Sequence, residues 1–322
     1  MDETDIAAAL ALWPQTANCT ARLINHSENH TFLIDRDGVP AFCLRVHRPG
    51  YQSRASIESE LIWLTALRRD VGVPAPAPVA GSNGQHLQEI RTGSGDFRLA
   101  VLFPFAAGSE PQPDDDLEPL FHTLGGFAAR MHSHATQWTP PAGFERQVWS
   151  AAHILDSNGL WGDWRQAPGI DAPMRLVLDR LDTELRRRLD DYGTAPDRFG
   201  LIHADMRLGN LLVDGDTVTL IDFDDCGFCW FSYDFAAAIS FHETHPAVPA
   251  LRAAWLAGYQ SIRPFSTEDI AALETMVLLR RMALLAWIGS HAETGLAQAH
   301  ADGFAAGTVM LAERYLDGAL WR

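Results

Sequence analysis

The sequence LIHADMRLGNLLVDGDTVTLIDFDD, residues 201–225, decides the fold. It combines a polar loop with a two-strand hairpin over 211–221, in which Asp214-Gly215 is a hairpin-turn signal. The side chains that could carry chemistry come in a fixed order: His203, Asp205, Asn210 and Asp222. Asp222 is expected to end the second strand, which would give its carboxylate a rigid mount. The segment therefore presents two carboxylates and an amide within a short stretch of chain.

This order of groups matches the needs of phosphoryl transfer. In such enzymes one carboxylate faces the hydroxyl that is phosphorylated, and an amide oxygen and a second carboxylate hold magnesium against the phosphates of a nucleotide. The protein-kinase pattern H-R-D-L-x-x-x-N followed by D-F-G has the same order, read here as His203 to Asn210, then Asp222 to Asp224. We predict Asp205 as the base or orienter of the acceptor hydroxyl. Asn210 and Asp222 are predicted to bind Mg²⁺, which prefers hard oxygen ligands.

Other residues of this region complete the predicted catalytic site. Arg207 follows Asp205 by two positions and is expected to clamp the transferred phosphoryl group, with a surface ion pair as the alternative. His203 is interpreted as an organiser of the catalytic loop and not as an acid. Asp234 opens a predicted helix and could act as its N-cap, hold the backbone of the loop, or do both.

Composition limits the classes of partner. The chain has 322 residues, 47% of them apolar, and a net charge of −16 from 41 acidic and 25 basic residues. Nucleic acid and anionic membrane surfaces are disfavoured partners, because both need a basic footprint. The first residues form no signal peptide, and the apolar segment 276–289 carries Arg280 and Arg281 at its middle, which argues against a membrane span. We therefore expect a cytoplasmic protein.

The cysteines indicate neither a disulfide framework nor a zinc site. Cys226 and Cys229 form a single C-x-x-C pair, while Cys19 and Cys43 are isolated. A structural zinc site would need a second pair or histidines at ligand spacing. We predict reduced thiols in a packed loop, with a redox role for the pair as the alternative.

Apolar periodicity predicts strands early in the chain and helices later. The predicted elements are strands 31–35 and 41–46 around Asp37-Gly38, a helix near 57–67 capped by Ser56, strands 86–91 and 97–103, and helices 117–134 and 174–190. We therefore expect an α+β fold. A small antiparallel β-rich lobe with one helix, residues 1–103, would precede a larger, mainly helical lobe, residues 104–322. A connector near 104–108 would join them.

Together these motifs resemble the aminoglycoside phosphotransferase / choline kinase superfamily, whose members are small-molecule kinases with a bilobal, protein-kinase-like fold. The resemblance rests mainly on HADMRLGNLL and LIDFDD, and more loosely on 27–32, 44–50 and 59–64. It extends over residues 20–295 and is nearest to the homoserine-kinase-like and stress-response-kinase-like branch. It implies ATP and Mg²⁺ as cofactors and a small molecule with a hydroxyl group as the acceptor.

The resemblance also implies a nucleotide site in the first lobe. The turn over residues 25–32 would cover the phosphates, and 103–106 would form the adenine-binding connector. The residues implied are Ser27, Asn29, Arg45, Glu60, Phe103 and Phe105. Arg45 would stand where the family has a lysine, and Glu60 would pair with it. Since arginine and lysine are not interchangeable, the alternative is that Arg45 is a surface residue and that His47 or Arg48 acts in its place.

Acidic and aromatic residues beyond the motif are candidates for substrate contacts. They are Asp224, Asp225, Glu243 and Trp230, with Phe231, Phe241, His291 and the segment 161–165 less well defined. A carboxylate or an aromatic face could hold a cation, although core packing is the alternative for the aromatic rings. We therefore expect an amine-bearing acceptor, such as homoserine, an amino alcohol or an aminoglycoside.

Three other functions stay open. A protein Ser/Thr kinase of the stress-response type is one, although no segment like A-P-E follows Asp222. A non-catalytic nucleotide-binding regulator is the second, suggested by Arg45. A metal-dependent phosphohydrolase using LIDFDD is the third, but the antiparallel hairpins count against it. The sequence also leaves open the acceptor, the choice between ATP and GTP, and the oligomeric state.

Overall fold

The computed structural model describes residues 3–26 and 29–321, so Ser27, a predicted nucleotide contact, lies outside the described residues. The chain divides into two compact units. The first unit comprises Met1–Ser109, Pro140–Arg146 and Leu212–Asp224. The second comprises Glu110–Thr139, Gln147–Leu211 and Asp225–Arg322. Each unit is thus assembled from several stretches of chain and not from one continuous segment.

A five-stranded antiparallel sheet forms the centre of the first unit. The elements of residues 3–104 are α1 Glu3–Leu10, β1 Cys19–His26, β2 His30–Arg36, β3 Val39–Val46, α2 Arg54–Val71, β4 Leu87–Arg91 and β5 Phe97–Pro104. The strand order is β1-β2-β3-β5-β4, and every neighbouring pair is antiparallel. The predicted strands are confirmed, and they place β3 in the middle of the sheet.

The turn between β2 and β3 follows from its sequence. Asp37 and Gly38 both have positive φ, 53° and 78°, as a type I′ turn requires. Aspartate and glycine tolerate that region better than other residues do, and the twist of the turn matches that of the strands. The hairpin expected from Asp37-Gly38 is therefore confirmed.

Helix α2 begins earlier than its sequence suggested. Ser53, and not Ser56, is the N-cap, and its hydroxyl accepts a hydrogen bond from the Ser56 backbone N–H. Ser53 and Ser56 both lie shortly before the first apolar residues of the helix, so the sequence pattern does not show which of them is the N-cap. The apolar face packs Ile57 and Leu61 against the sheet in one cluster with Val101 of β5. This packing fixes the face of α2 that carries Glu60.

The remaining elements are mostly helical. They are α3 Glu118–Gln137, α4 Ala151–Leu155, α5 Ala172–Tyr192, β6 Phe199–Ile202, β7 Leu211–Asp214, β8 Thr217–Leu220, β9 Gly227–Trp230, α6 Tyr233–Ala238, α7 Val248–Gln260, α8 Thr267–Ser290, α9 Gly295–Ala301 and α10 Phe304–Leu316. Strands β7 and β8 pair as the predicted hairpin, and β6 pairs with β9. Strand β8 ends at Leu220, two residues before Asp222, so Asp222 lies in the following loop and not at the strand end.

Two glycines let helices α3 and α7 cross at close range. A Cβ atom on Gly125 of α3 would overlap the Trp255 carbonyl of α7, and one on Gly258 of α7 would overlap the His122 carbonyl of α3. The close approach is needed because His132 of α3 hydrogen-bonds Tyr259 of α7. Glycine is the residue that permits such backbone contact.

Helix α8 is the buried centre of the second unit. It runs for 24 residues, and both arginines at its middle, Arg280 and Arg281, are buried. Buried guanidinium groups require charged or hydrogen-bonding partners, so this helix must face polar groups on two sides. Within the described ranges no helix is long and apolar enough to cross a membrane.

The cysteine pair is packed inside the second unit. Cys226 and Cys229 are buried free thiols beside and within β9. Burial raises the pKa of the Cys229 thiol well above its usual range. A protonated, buried thiol is a poor nucleophile, which agrees with the packing role expected from the sequence.

Candidate active site

The catalytic loop follows β6 and is held by Asp234 at the start of α6. The Asp234 carboxylate accepts hydrogen bonds from the backbone N–H of Ala204 at 2.8 Å and of His203 at 3.4 Å. Ala204 has a φ of 66°, a left-handed conformation that a non-glycine residue keeps only when its surroundings enforce it. Asp234 therefore serves as the backbone anchor of the loop, the second of the two roles open to it from the sequence.

A buried chain of hydrogen bonds supports Asp234. His132 Nε2 lies 2.9 Å from Asp234 Oδ2, and His132 Nδ1 lies 3.0 Å from the Tyr259 hydroxyl. Burial, which outweighs the opposing effect of Asp234, lowers the pKa of His132, so the ring is neutral. A neutral ring donates from Nε2 to the carboxylate and accepts at Nδ1 from Tyr259. Arg263 then donates to the Tyr259 oxygen at 2.8 Å, which makes all three bonds consistent.

We expect Asp234→Asn to loosen the loop, because all three partners of this carboxylate donate hydrogen bonds. The new amide N–H₂ would face another donor, which leaves a buried group unsatisfied at a cost of about 1–3 kcal/mol. The measurement is the unfolding free energy in denaturant together with kcat, and both should fall. Asp190→Asn, on the exposed face of α5, is the matched control. Unchanged stability and turnover in Asp234→Asn would contradict the assignment.

Both oxygens of Asp205 are engaged by neighbouring side chains. Arg280 donates from a terminal nitrogen to Oδ1, and Asn210 Nδ2 donates to Oδ2 at 2.7 Å. Arg207 Nε lies 3.4 Å from the same Oδ2. Burial alone would raise the pKa of Asp205, but the charges of Arg280 and then Arg207 outweigh it and lower the pKa. Asp205 is therefore an oriented carboxylate that stays ionised near neutral pH.

Asn210 and His203 are oriented by the backbone of the same loop. Asn210 Nδ2 also donates to the Asp205 carbonyl at 2.8 Å, which leaves Oδ1 as the amide atom suited to a metal ion. His203 Nδ1 accepts from the Asp205 backbone N–H at 3.2 Å. His203 thus shapes the loop, in agreement with the interpretation of its sequence position.

Arg280 is a buried partner of Asp205 that the sequence pattern did not predict. Besides Asp205, it donates to the Ser240 hydroxyl at 2.9 Å and to the Ala204 carbonyl at 3.3 Å, and its guanidinium lies 5.0 Å from the Trp161 ring centroid. In the sequence, Arg280 argues only against a membrane span over 276–289. A signal was available, since an arginine in the middle of an apolar helix must find a buried anion.

Arg45 and Glu60 form a buried ion pair in the first unit. One terminal nitrogen of Arg45 lies 2.7 Å from each oxygen of Glu60, and the other lies 3.3 Å from Asp222 Oδ1. The guanidinium also lies 5.5 Å from the Phe103 ring centroid. Burial alone would lower the pKa of Arg45, but the surrounding carboxylates, Glu60 first, raise it. Arg45 is therefore a buried, permanently charged group and not a surface strand residue.

Asp222 presents its carboxylate from a constrained backbone. Its φ is 60°, and 47% of its side chain is exposed. A left-handed aspartate costs free energy and is common at functional sites, where the surrounding structure enforces it. An accessible carboxylate on a constrained mount suits a metal ligand.

Asp224 is buried within the first unit, where Asn29 is its hydrogen-bonded side-chain partner and the charge of Arg45 lowers its pKa. Asn29 donates from Nδ2 to Asp224 Oδ2 at 2.9 Å, and His47 Nδ1 lies 3.8 Å from Oδ1. Burial, then the charge of Arg45, lowers the pKa of His47 to about 3, so the imidazole is neutral. Asp224 therefore ties the turn at Asn29 to the segment after β8, and its contact with a substrate amine stays a prediction.

Phe105 and Asp225 have simpler surroundings. Phe105 is 41% exposed, and its backbone N–H donates to the Ala41 carbonyl at 3.0 Å, next to β3. The Asp225 carbonyl accepts from Trp149 Nε1 at 2.9 Å.

The tryptophan proposed as a cation contact belongs to the core. Trp230 is 2% exposed, its Nε1 donates to the Gly193 carbonyl at 2.7 Å, and its ring meets Phe199 edge-on. These contacts favour the core-packing alternative for Trp230, and its role as a cation contact stays a prediction.

The comparisons with known proteins agree with this geometry. Residues 20–273 match the model of the phosphotransferase enzyme family, APH. The chain belongs to this family. The match includes both the Arg45–Glu60 pair and the loop from His203 to Asn210, so the family predicted from HADMRLGNLL and LIDFDD is confirmed.

Several relatives of this phosphotransferase are known. Amicoumacin kinase of Bacillus subtilis (strain 168) is 28% identical over 230 residues, which are 71% of this chain and 65% of that protein. The match thus spans less than two thirds of that kinase. Homoserine kinase of Gluconobacter oxydans (strain 621H) is 29% identical over 259 residues, 77% of this chain and 75% of that protein. These relatives include the homoserine-kinase branch expected from the sequence.

One solved structure matches over the full length. It is a microcompartment-associated aminopropanol kinase, with a TM-score of 0.90 and 42% identity, covering 100% of this chain and 99% of that one. The predicted α+β, protein-kinase-like fold is therefore confirmed.

Proposed function

We propose that this phosphotransferase is an ATP- and Mg²⁺-dependent kinase that moves the γ-phosphoryl group to a hydroxyl of a small, amine-bearing molecule. The observation that carries the proposal is Asp205: an ionised carboxylate with both oxygens held, Arg207 beside it, on a loop that Asp234 anchors. This is the arrangement that orients an acceptor hydroxyl for in-line attack on a phosphate.

Asp205 and Arg207 have different roles in the proposed reaction. Asp205 accepts a hydrogen bond from the acceptor hydroxyl and takes its proton as the new O–P bond forms and the bond to the leaving ADP oxygen breaks. Its lowered pKa makes it a weak base, so its larger contribution is orientation. Arg207 contacts the transferred phosphoryl group. This role is supported by its position, because its side chain is half-buried and its Nε lies 3.4 Å from Asp205 Oδ2.

The magnesium ligands are proposed from their donor chemistry. Asn210 offers an amide oxygen, since its nitrogen is committed to Asp205, and Asp222 offers an exposed carboxylate. Both are hard oxygen donors, as Mg²⁺ prefers, and two protein ligands are a usual number for a metal that also binds phosphates and water. When bound, the metal neutralises charge on the phosphates.

The first unit would bind the nucleotide. Arg45 is fixed by Glu60 and keeps a terminal nitrogen near Asp222, so it can bind phosphate oxygens in the place of the lysine of other family members. Asn29 would position the turn over the phosphates, and Ser27, the other proposed contact in this turn, lies outside the described residues. Phe103 and Phe105 supply apolar surface for the base. We place the reaction in the cytoplasm, where ATP is supplied.

The acceptor class is proposed from the relatives. An aminopropanol and homoserine each carry one amine and one hydroxyl group, and the two enzymes named for them are similar to this chain. Aminopropanol is the first candidate, because the similarity to that kinase covers the whole chain.

The functional test is ADP release measured with a panel of acceptors. Aminopropanols, other short amino alcohols, homoserine, an aminoglycoside and a Ser/Thr peptide would each be added to enzyme, ATP and Mg²⁺. We expect ADP formation that depends on a short amine-bearing alcohol. Turnover of the peptide alone would indicate a protein kinase, and nucleotide binding without turnover of any acceptor would indicate a regulator. Phosphate release from a phosphomonoester without nucleotide would indicate a phosphohydrolase.

We expect Asp222→Asn to weaken Mg²⁺-dependent ATP binding, because the amide keeps the shape of the side chain but loses the negative charge that attracts the cation. The measurement is a calorimetric titration with ATP at several Mg²⁺ concentrations, in which the variant should need roughly tenfold more Mg²⁺. Asp214→Asn, at the exposed end of β7, is the control. Equal Mg²⁺ requirement in the variant and the parent would remove Asp222 from the metal site.

A further inference from the structure

Glu243 is a buried carboxylate with one oxygen unused. It lies between α6 and α7, and 1% of its side chain is exposed. Oε2 accepts a hydrogen bond from Arg281 at 2.9 Å. Among the described residues, no donor reaches Oε1. Leaving a charged acceptor buried and unpaired costs more than about 1–3 kcal/mol, so such a group points to a ligand that donates to it.

Arg281 orients Glu243 and also donates hydrogen bonds to two other residues. Its Nε donates to Thr308 Oγ1 at 3.1 Å, and a terminal nitrogen donates to the Phe304 carbonyl at 2.8 Å. Its guanidinium lies 3.5 Å from the Phe304 ring centroid. Arg281 is therefore a rigid support that orients the Glu243 carboxylate, with each of its three nitrogens already donating.

Apart from Arg281, the groups close to Glu243 include two imidazoles, His242 and His300, and the aromatic ring of Phe241. Phe241 stacks on His300 at 4.1 Å between ring centroids and lies 6.3 Å from Trp287. Burial lowers the pKa of both His242 and His300, so these imidazoles are neutral near pH 7. Oε1, the oxygen that Arg281 does not bind, is therefore the atom of this cluster that can accept a hydrogen bond from a cationic ligand.

Helix α8 connects Glu243 to the acceptor carboxylate. Arg280 binds Asp205 and also the Ser240 hydroxyl, three residues before Glu243, while Arg281 binds Glu243 itself. Consecutive Cα atoms are about 3.8 Å apart, so one turn of α8 supports both carboxylates. His300 links the two groups as well, since the charges of Glu243 and of Arg207, the neighbour of Asp205, both act on it.

We propose that Glu243 is a specificity-determining residue whose Oε1 accepts a hydrogen bond from the primary ammonium group of a short amino alcohol while the hydroxyl of that substrate lies at Asp205. This inference rests on the proposed kinase function and adds the group that selects the acceptor. A carboxylate or phosphate at the same position would be repelled by Glu243. A substrate with a hydroxyl in place of the amine would lose the ionic component of the contact.

The test compares an amino alcohol with its matched diol. For the parent enzyme and Glu243→Gln, kcat/KM is measured with 1-amino-2-propanol and with 1,2-propanediol. We expect the parent to prefer the amino alcohol and Glu243→Gln to lose roughly 10²-fold of that preference, mainly through KM, while turnover of the diol is unchanged. Glutamine keeps an oxygen for Arg281, so the fold should tolerate it. Glu243→Asp, which keeps the charge, should retain part of the preference.

The controls separate this site from the proposed function. Glu313→Gln, an exposed glutamate of α10, should leave both substrates unaffected. Glu243→Gln should still unfold cooperatively, at a lower temperature than the parent because Arg281 loses its charged partner, and its Mg-ATP titration should match that of the parent. Equal losses on both substrates would show a structural role, and an unchanged preference would show that Glu243 does not contact the amine; either result overturns the inference.

If the parent turns over no acceptor, the kinase proposal fails. Calorimetric titration with the amino alcohol then tests the Glu243 site independently. Weaker binding to Glu243→Gln than to the parent would support the site, and equal binding would refute it.

Discussion

Asp205→Asn is expected to lower kcat by about 10²–10⁴-fold while nucleotide affinity stays close to that of the parent. The substitution keeps the shape of the side chain and one acceptor for Arg280, but it removes the group that orients the acceptor hydroxyl and takes its proton. Asparagine also places an N–H₂ group opposite a donor, either Arg280 or Asn210. The loss should therefore appear in kcat more than in the KM for ATP.

The measurement is steady-state ADP formation, with Mg-ATP affinity determined separately by calorimetry. Asp216→Asn, in the exposed turn between β7 and β8, is the matched control and should behave as the parent. Turnover of Asp205→Asn within a few-fold of the parent would refute the catalytic role. A parallel collapse of the unfolding free energy would show instead that Asp205 acts through the fold.

Arg45→Met is expected to destabilise the first unit by about 3–5 kcal/mol, because it leaves the buried Glu60 carboxylate without its partner. Both oxygens of Glu60 lie 2.7 Å from the same guanidinium nitrogen, and the side chain of Glu60 is 1% exposed. Removal of the guanidinium should also abolish most of the affinity for Mg-ATP. Denaturant unfolding and calorimetric titration with Mg-ATP measure the two effects.

A double substitution separates stability from binding. Combining Arg45→Met with Glu60→Leu removes both charges, so the unfolding free energy should recover much of the loss seen in Arg45→Met. The affinity for Mg-ATP should stay low, since no cation remains to meet the phosphates. Recovery of affinity in the double variant would show that Arg45 serves only the fold. Arg45→Lys should keep the charge with a looser pair, since an ammonium lacks the fixed fork of a guanidinium.

Local signals in the sequence predicted the elements well but their ends less well. The β2–β3 hairpin follows from Asp37-Gly38, because few residues adopt the left-handed turn that the strands require. The start of α2 did not follow, since Ser53 and Ser56 are both acceptable caps and only the packing of Ile57 and Leu61 selects between them. Asp222 likewise lies beyond β8 and not at its end.

Long-range partners could not be read from spacing. Arg280 lies 75 residues after Asp205, and nothing in the local pattern of α8 states which buried anion it meets. The partners of Asp224 and Trp230 were equally unpredictable. Asp224 hydrogen-bonds Asn29, 195 residues earlier, and Trp230 packs on Phe199. Their positions next to the motif gave no information about these contacts.

The sequence by itself determined the reaction class, because phosphoryl transfer needs a few oxygen-bearing groups in a fixed order, and 201–225 supplies them within one loop and hairpin. It also determined the sheet, whose turns and apolar alternation are local properties. The partner of each buried charged group is known from the tertiary structure alone. Arg280 pairs with Asp205, Arg281 pairs with Glu243, and Asp234 accepts hydrogen bonds from the backbone of the loop after β6. The reason is that burying a charge costs free energy unless a partner lies within hydrogen-bonding distance. The packing of the helices determines which residue is that partner, however far apart the two residues lie in the chain.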